Sequence, residues 1–326
     1  MSSHSDPIGD LAAAISRVLE GRTITELTRL SGGASRETWR FGADGEPLII
    51  QRQRSGDTRD MEVEASVLRA AAVAGVPVPR LVASGRFDEG ARYIIQSWVE
   101  GETIARKILR DDVYASARRS LVGQFATALA AVHSIPIDDV AGLPATDQMA
   151  QYRQSLDDLN AQLDQAHPAF ELAFRWLEGN RPASARRTVV HGDFRLGNVM
   201  VGPDGLRAVL DWELAHIGDP MEDLGWLCVR AWRFGSERPV AGLGAREALL
   251  AGYEAASGSP ADPDALRWWE VLGTLKWGIM CMLQASAHLL GFSRSHELAA
   301  IGRRVCENEY DIMLALEGRW STLGVA

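Results

Sequence analysis

The chain has 326 residues, 46% apolar and 24% charged, with a formal net charge of −9, ample for one large domain or two lobes. That acidity argues against nucleic acid and against anionic membranes as partners, because phosphate-rich surfaces demand a basic face. Cys228, Cys281 and Cys306 are widely spaced and exclude a disulfide framework; with an N-terminus that lacks signal-peptide character, they point to the cytoplasm.

In chain order, Asp10 is expected to cap an amphipathic helix over residues 11–19, which Gly21 ends. Strands follow at 23–30 and 37–41, separated by Ser31-Gly32-Gly33-Ala34-Ser35-Arg36. A turn at Ala43-Asp44-Gly45 leads to a third strand at 47–50. Residues 61–74 read as a helix with Val63, Val67, Leu68 and Ala71 on its apolar stripe, broken by Gly75 to Pro79. Two more strands are expected around 81–82 and 91–99, and Glu100-Gly101 marks a hinge. Beyond it helices dominate, including 115–133 with Leu121, Phe125, Leu129 and Val132 on one face. Residues 271–292 approach membrane-span length, but Lys276, Gln284 and His288 interrupt them, so a buried core helix is expected and no membrane span.

The chemistry concentrates in His191-Gly192-Asp193-Phe194-Arg195-Leu196-Gly197-Asn198, followed by Asp211-Trp212-Glu213. Between these runs lies a hairpin, 198–201 and 206–210, around a Gly202-Pro203-Asp204-Gly205 turn. The hairpin folds Asp211 back beside Asn198. Mg²⁺ takes oxygen ligands and keeps waters and phosphates in its shell, so Asn198 and Asp211 suffice as its protein ligands. Asp193 is then free to accept the proton of an attacking hydroxyl. The blander reading, turn-capping side chains, explains Asp193 and Asn198 but not the second acid at the hairpin exit.

These motifs resemble the catalytic loop of the aminoglycoside phosphotransferase (APH)/choline kinase family. The run from Val190 to Asn198, Leu210-Asp211-Trp212-Glu213-Leu214 and Gly218-Asp219-Pro220-Met221-Glu222-Asp223-Leu224 are similar to its subgroup related to the kinase-like domain of acyl-CoA dehydrogenase fusion proteins. The resemblance implies an α+β, bilobal protein-kinase-like fold. A small antiparallel sheet lobe with one main helix (residues 1–100) would bind nucleotide, and a larger helical lobe (101–326) would carry catalysis and the acceptor. It implies ATP and Mg²⁺ as cofactors and a small hydroxylated molecule as substrate. Gly32, Gly33 and Ser35 would cover the phosphates, and backbone groups near Ser97 to Val99 would meet the adenine. Arg195 would touch the transferring phosphate or form a structural ion pair, His191 would brace the loop, and Asp223 would bond back to its backbone.

One element of the pattern is missing. The third strand should supply a lysine that pairs the phosphates with a helix glutamate, yet no lysine precedes Lys107. Arg52 is the expected substitute and Glu64 its partner, although an ungapped register puts Gln51 in that place; Glu64 on a solvated helix face is the blander reading.

The leading function is ATP-dependent O-phosphotransfer to a small molecule. The alternatives are a nucleotide-binding module without transfer, favoured by the missing lysine, and a metal-dependent phosphohydrolase, for which His216 is the only nearby extra ligand. Eight of the ten tryptophans lie at or after Trp176. Helical spacing makes most of them core; any that line the acceptor pocket favour a partly apolar acceptor such as a hydroxyacyl compound over a polycationic aminoglycoside.

Overall fold

The computed structural model describes residues 7–30, 36–54, 60–182 and 186–319. Helix α1 (Pro7–Val18) precedes strands β1 (Ile24–Arg29), β2 (Arg36–Ala43) and β3 (Glu46–Gln53); α2 (Met61–Val73) then leads to β4 (Leu81–Arg86) and β5 (Arg92–Ser97). The five strands form one antiparallel sheet in the order β1-β2-β3-β5-β4. Helix α1 starts at Pro7 rather than after Asp10. Proline presets the first helical φ, and Asp10 lies inside that first turn, where its charge meets the positive helix end.

Leu11, Ile15 and Leu19 pack beneath Phe41, Leu48 and Ile50 of the sheet. Asp60 caps α2 by accepting from the Glu62 N–H at 3.0 Å. Of the expected stripe, Val67, Leu68 and Ala71 are buried, while Val63 is half-buried and Glu64 joins the buried face.

Past Glu100-Gly101 come α3 (Ala105–Arg110), α4 (Ala115–His133), α5 (Gln148–Leu163) and α6 (Pro168–Gly179). Four short strands follow: β6 (Thr188–Val190), β7 (Val199–Gly202), β8 (Gly205–Val209) and β9 (His216–Gly218). The chain continues through α7 (Pro220–Cys228), α8 (Arg246–Ser257), α9 (Pro263–Leu289), α10 (His296–Gly302) and α11 (Val305–Leu316). Strands β7 and β8 make the expected hairpin, and β6 pairs antiparallel with β9. The second pairing matters for the site, because β6 feeds the His191 loop while β9 follows the Asp211 segment.

Leu121, Phe125, Leu129 and Val132 of α4 are all fully buried and share one core with α2, the hairpin and Phe194 of the loop. Each such side chain stabilises by roughly 1.5–3 kcal/mol, so the loop rests on a fully buried part of the core. Helix α9 is buried along most of its length, and among the described residues no helix is long and apolar enough to cross a membrane. The result is the bilobal α+β architecture expected from the resemblance.

Candidate active site

Strand β6 carries the backbone out of the core to His191, where it must turn sharply. Gly192 makes the turn at φ 78°, and a Cβ there would lie 2.4 Å from the Leu214 carbonyl oxygen. Asp223, in the first turn of α7, holds the turn from below. Its two carboxylate oxygens accept from the His191 and Gly192 N–H groups, each at 2.8 Å. Burial alone would raise the Asp223 carboxyl, but His133, 3.1 Å away, together with His191, outweighs it and brings the pKa down to about 2.

His191 Nδ1 accepts from the Asp193 N–H at 3.2 Å, and Nε2 donates to the Leu210 carbonyl at 2.9 Å. Burial lowers its pKa, so the ring is neutral, and both nitrogens tie the loop to the hairpin. Asp193 is oriented from three sides. Its Oδ1 accepts from Trp226 Nε1 at 2.7 Å and from Arg195 Nε at 3.0 Å, and its Oδ2 accepts from Asn198 Nδ2 at 2.5 Å. Arg195 is therefore ion-paired to the acid, with its guanidinium 4.7 Å above the Trp232 ring. Asn198 Nδ2 also donates to the Asp193 carbonyl at 3.1 Å, which turns its own oxygen the other way.

The Leu210 N–H donates to the Asn198 carbonyl at 2.8 Å, so the two ends of the hairpin stay together. Asp211 leaves the hairpin at φ 64°, a left-handed conformation that costs of order 1–3 kcal/mol in a non-glycine residue. Burial, then the nearby charges of Glu213, Asp193 and Glu64, push its carboxyl up to about 7. A buried acid among further carboxylates fits a cation. Among the described residues no three His, Cys, Asp or Glu side chains converge as a metal site. The donor set suits an ion that takes one oxygen each from Asn198 and Asp211 and completes its shell with water and phosphate.

Both residues line a cleft of about 260 Å³, closed on the sheet side by Arg36, Gln51, Glu64 and Ser97. Arg52 does not point there, which corrects the expectation from the sequence. Its guanidinium meets Glu89 at 3.2 Å and Glu37 at 3.7 Å. Strand β3 buries Leu48 and Ile50 beneath the sheet, so Ile49 and Gln51 face the cleft and the alternation carries Arg52 away. Glu64 is buried as the partner of Arg36, the first residue of β2, with Nη2 and Oε2 2.5 Å apart. Arg36 also donates to Gln51 Oε1 at 3.4 Å and approaches Glu213 Oε2 at 3.7 Å.

At the hinge, Ser97 and Val99 line the cleft. The Ser97 N–H donates to the Arg80 carbonyl and the Trp98 N–H to that of Pro47, so neither is a donor for a nucleobase. Trp98 packs beneath the Arg40 guanidinium at 4.4 Å. Gly32, Gly33 and Ser35 lie outside the described residues.

Sequence reasoning missed Arg36, Trp226 and a buried network behind the loop. Lys276 on α9 donates to the Gly192 carbonyl at 3.0 Å and sits 3.5 Å from Glu222, which in turn reaches His216 Nε2 at 3.0 Å. His216 Nδ1 bonds the Leu214 carbonyl at 2.9 Å. Burial would lower the His216 pKa, but Glu222 raises it beyond that effect. With both nitrogens engaged, His216 is not available as a metal ligand. The interruption of the apolar run 271–292 by Lys276 was the one sequence signal for this network.

The model of the phosphotransferase enzyme family, APH, matches residues 26–269. Acyl-CoA dehydrogenase family member 10 of Mus musculus is 27% identical over 227 residues, covering 66% of this chain and 21% of that protein. Family member 11 of Gallus gallus is 29% identical over 210 residues, covering 60% of this chain and 27% of that protein. The chain thus spans about a fifth to a quarter of these relatives' length. Among solved structures, a candidate aminoglycoside phosphotransferase of Ralstonia eutropha JMP134 gives a TM-score of 0.75 at 20% identity, covering 95% of this chain and 98% of that one. A thermostable mutant of aminoglycoside phosphotransferase APH(4)-Ia, in ternary complex with AMP-PNP and hygromycin B, gives 0.66 at 16% identity over 95% and 99%. Likeness at these identities speaks for the fold. The family match runs from the first strand of the sheet through the catalytic hairpin into α9, and on that ground the chain belongs to the phosphotransferase enzyme family.

Proposed function

We propose that the protein transfers the γ-phosphoryl group of MgATP to a hydroxyl of a small molecule, with residues 1–100 as nucleotide lobe and 101–326 as catalytic and acceptor lobe. The observation that carries this reading is the convergence of Asp193, Asn198 and Asp211 on one hairpin beside a cleft closed by the sheet. Asn198 and Asp211 would hold the metal, which neutralises charge on the phosphates when bound. Asp193 orients the acceptor hydroxyl and takes its proton. Its Oδ1 already accepts two hydrogen bonds and its Oδ2 one, so Oδ2 has the lone pair left for the substrate. Trp226 and Arg195 keep the carboxylate in that orientation, and Val99 is the hinge residue left to meet the adenine.

The non-transferring alternative rested on the missing lysine alone. The phosphohydrolase alternative loses its extra histidine, because His216 is engaged with Glu222 and Leu214. The acceptor is expected on the Trp226 and Trp232 side of Asp193. A hollow of about 860 Å³ adjoins the turn that carries Trp232; its lining mixes Arg106, Arg230, Arg233 and Arg304 with Glu237, Glu307 and Asp311, and Arg230 and Arg304 are ion-paired with Asp311 and Glu307. Its charge therefore does not choose the acceptor, and a hydroxyacyl compound is preferred on the resemblance to the acyl-CoA dehydrogenase-linked subgroup. ATP turnover measured on hydroxyacyl thioesters, polyols and aminoglycosides tests this choice, and efficient phosphorylation of aminoglycosides alone would overturn it. Asp193→Asn should keep MgATP affinity and lower turnover by on the order of 10²–10⁴-fold. Near-normal turnover in that variant removes Asp193 from the role.

A further inference from the structure

We infer that Arg36, on β2, supplies the phosphate-holding cation that the third strand lacks, so that the charge reaches the nucleotide site from the neighbouring strand. The inference rests on the MgATP reading above. Three observations lead to it. Gln51 occupies the cleft-facing place on β3 and brings no charge. Glu64, the buried acid of α2, is 2.5 Å from Arg36 and is not a partner of Arg52. Among the described residues, Arg36 is the one arginine that lines the cleft beside Asn198 and Asp211.

Burying a guanidinium and a carboxylate at 6% side-chain exposure each is expensive, and such a pair is weak evidence of added stability. A neutral, well-packed pair would hold α2 against the sheet at lower cost. The charge is instead useful where phosphate oxygens must be met. The guanidinium fork has five N–H donors. Glu64 and Gln51 fix its orientation from the sheet lobe, and Glu213 approaches it from beside Asp211. Arg36 thus stands between the two lobes, next to the metal side of the cleft. Thr38 pairs with Gln51 across β2 and β3, so the cleft-facing positions of the two strands lie side by side. Arg36 itself pairs with Gln53, so moving the cation from Gln51 to Arg36 shifts its root by one diagonal step, roughly 7–8 Å, and the Arg36 guanidinium reaches back to Gln51 Oε1 at 3.4 Å.

The test uses calorimetric binding of ATP, ADP and adenosine, with Mg²⁺, to the full chain. Arg36→Gln alone would leave Glu64 buried and uncompensated, so it is combined with Glu64→Gln. The double variant should bind MgATP at least about tenfold more weakly, a change worth about 1.4 kcal/mol, and bind adenosine as wild type does. Adding Gln51→Lys should restore most of the MgATP affinity, because it returns the charge to β3. Arg52→Gln should leave all three affinities unchanged. Unchanged MgATP affinity in the double variant, an equal loss for adenosine, or a loss confined to Arg52→Gln would each overturn the inference. A wild-type chain that binds no MgATP would take the phosphotransferase reading down as well, whereas a binding wild type with an indifferent double variant sinks the Arg36 assignment alone.

Discussion

Asp211 bears the sharpest conflict in the molecule: a non-glycine residue at φ 64°, buried among carboxylates, with its pKa near 7 rather than the usual 3.8. Between those two pH values the folded chain keeps a proton that the unfolded chain has released, so stability falls as pH rises through that window. Asp211→Asn should remove this loss. Asparagine tolerates the left-handed conformation and carries no charge, so the variant without ligand should melt higher than wild type above pH 7 while its MgATP binding weakens. Thermal unfolding from pH 4 to 8 with and without MgATP checks both signs. A wild-type stability that climbs from pH 4 to 7, with Asp211→Asn tracking it, would show that the carboxyl is not held protonated. Asp223 behaves oppositely: its depressed pKa gives stability that is present above pH 4 and lost as pH falls toward 2.

At the scale of elements, the site depends on how closely α7 and α9 pack, since α7 brings Trp226 and Asp223 to the loop and α9 brings Lys276. Gly225 is the contact. A Cβ there would meet the Trp269 Cβ at 2.6 Å and α9 backbone atoms at 2.8 and 2.9 Å. Backbone cannot swing aside, so Gly225→Ala should push the helices apart at a cost of about 1–3 kcal/mol. Denaturant titration should show a lower midpoint, and turnover should fall further than stability because Trp226 leaves Asp193. A variant with wild-type midpoint and turnover would mean that the contact is not tight. Nothing local announces this packing, for Gly225 sits in a run that reads as ordinary helix.

In the whole molecule, the lobes are joined at the hinge and across the cleft. Glu102 and Val201 exchange backbone hydrogen bonds at 2.9 and 3.0 Å, fastening the hinge to the catalytic hairpin, and Arg36 faces Glu213. A ligand that contacts both sides binds only the assembled form. MgATP at 100 times its dissociation constant should therefore stabilise the chain by about 2.7 kcal/mol, and Asp211→Ala should lose most of that gain at the same concentration. Equal stabilisation of both proteins would separate the nucleotide from Asp211.

Local sequence determined the elements and the catalytic hairpin. Helix 115–133 came out to the residue, and Asp193, Asn198 and Asp211 were legible because one loop and one hairpin join them and short-range geometry decides where they meet. The family was legible for the same reason. Only the tertiary structure decided which arginine reaches Glu64. Strand alternation turns Arg52 outward, and the pairing of β2 with β3 sets Arg36 diagonally across from the cleft-facing Gln51, within reach of it and of Glu64. Trp226 and Lys276 likewise reach the loop from helices 33 and 84 residues away in sequence. Contacts of that range depend on how the lobes and helices pack, and no local pattern of residues carries that information.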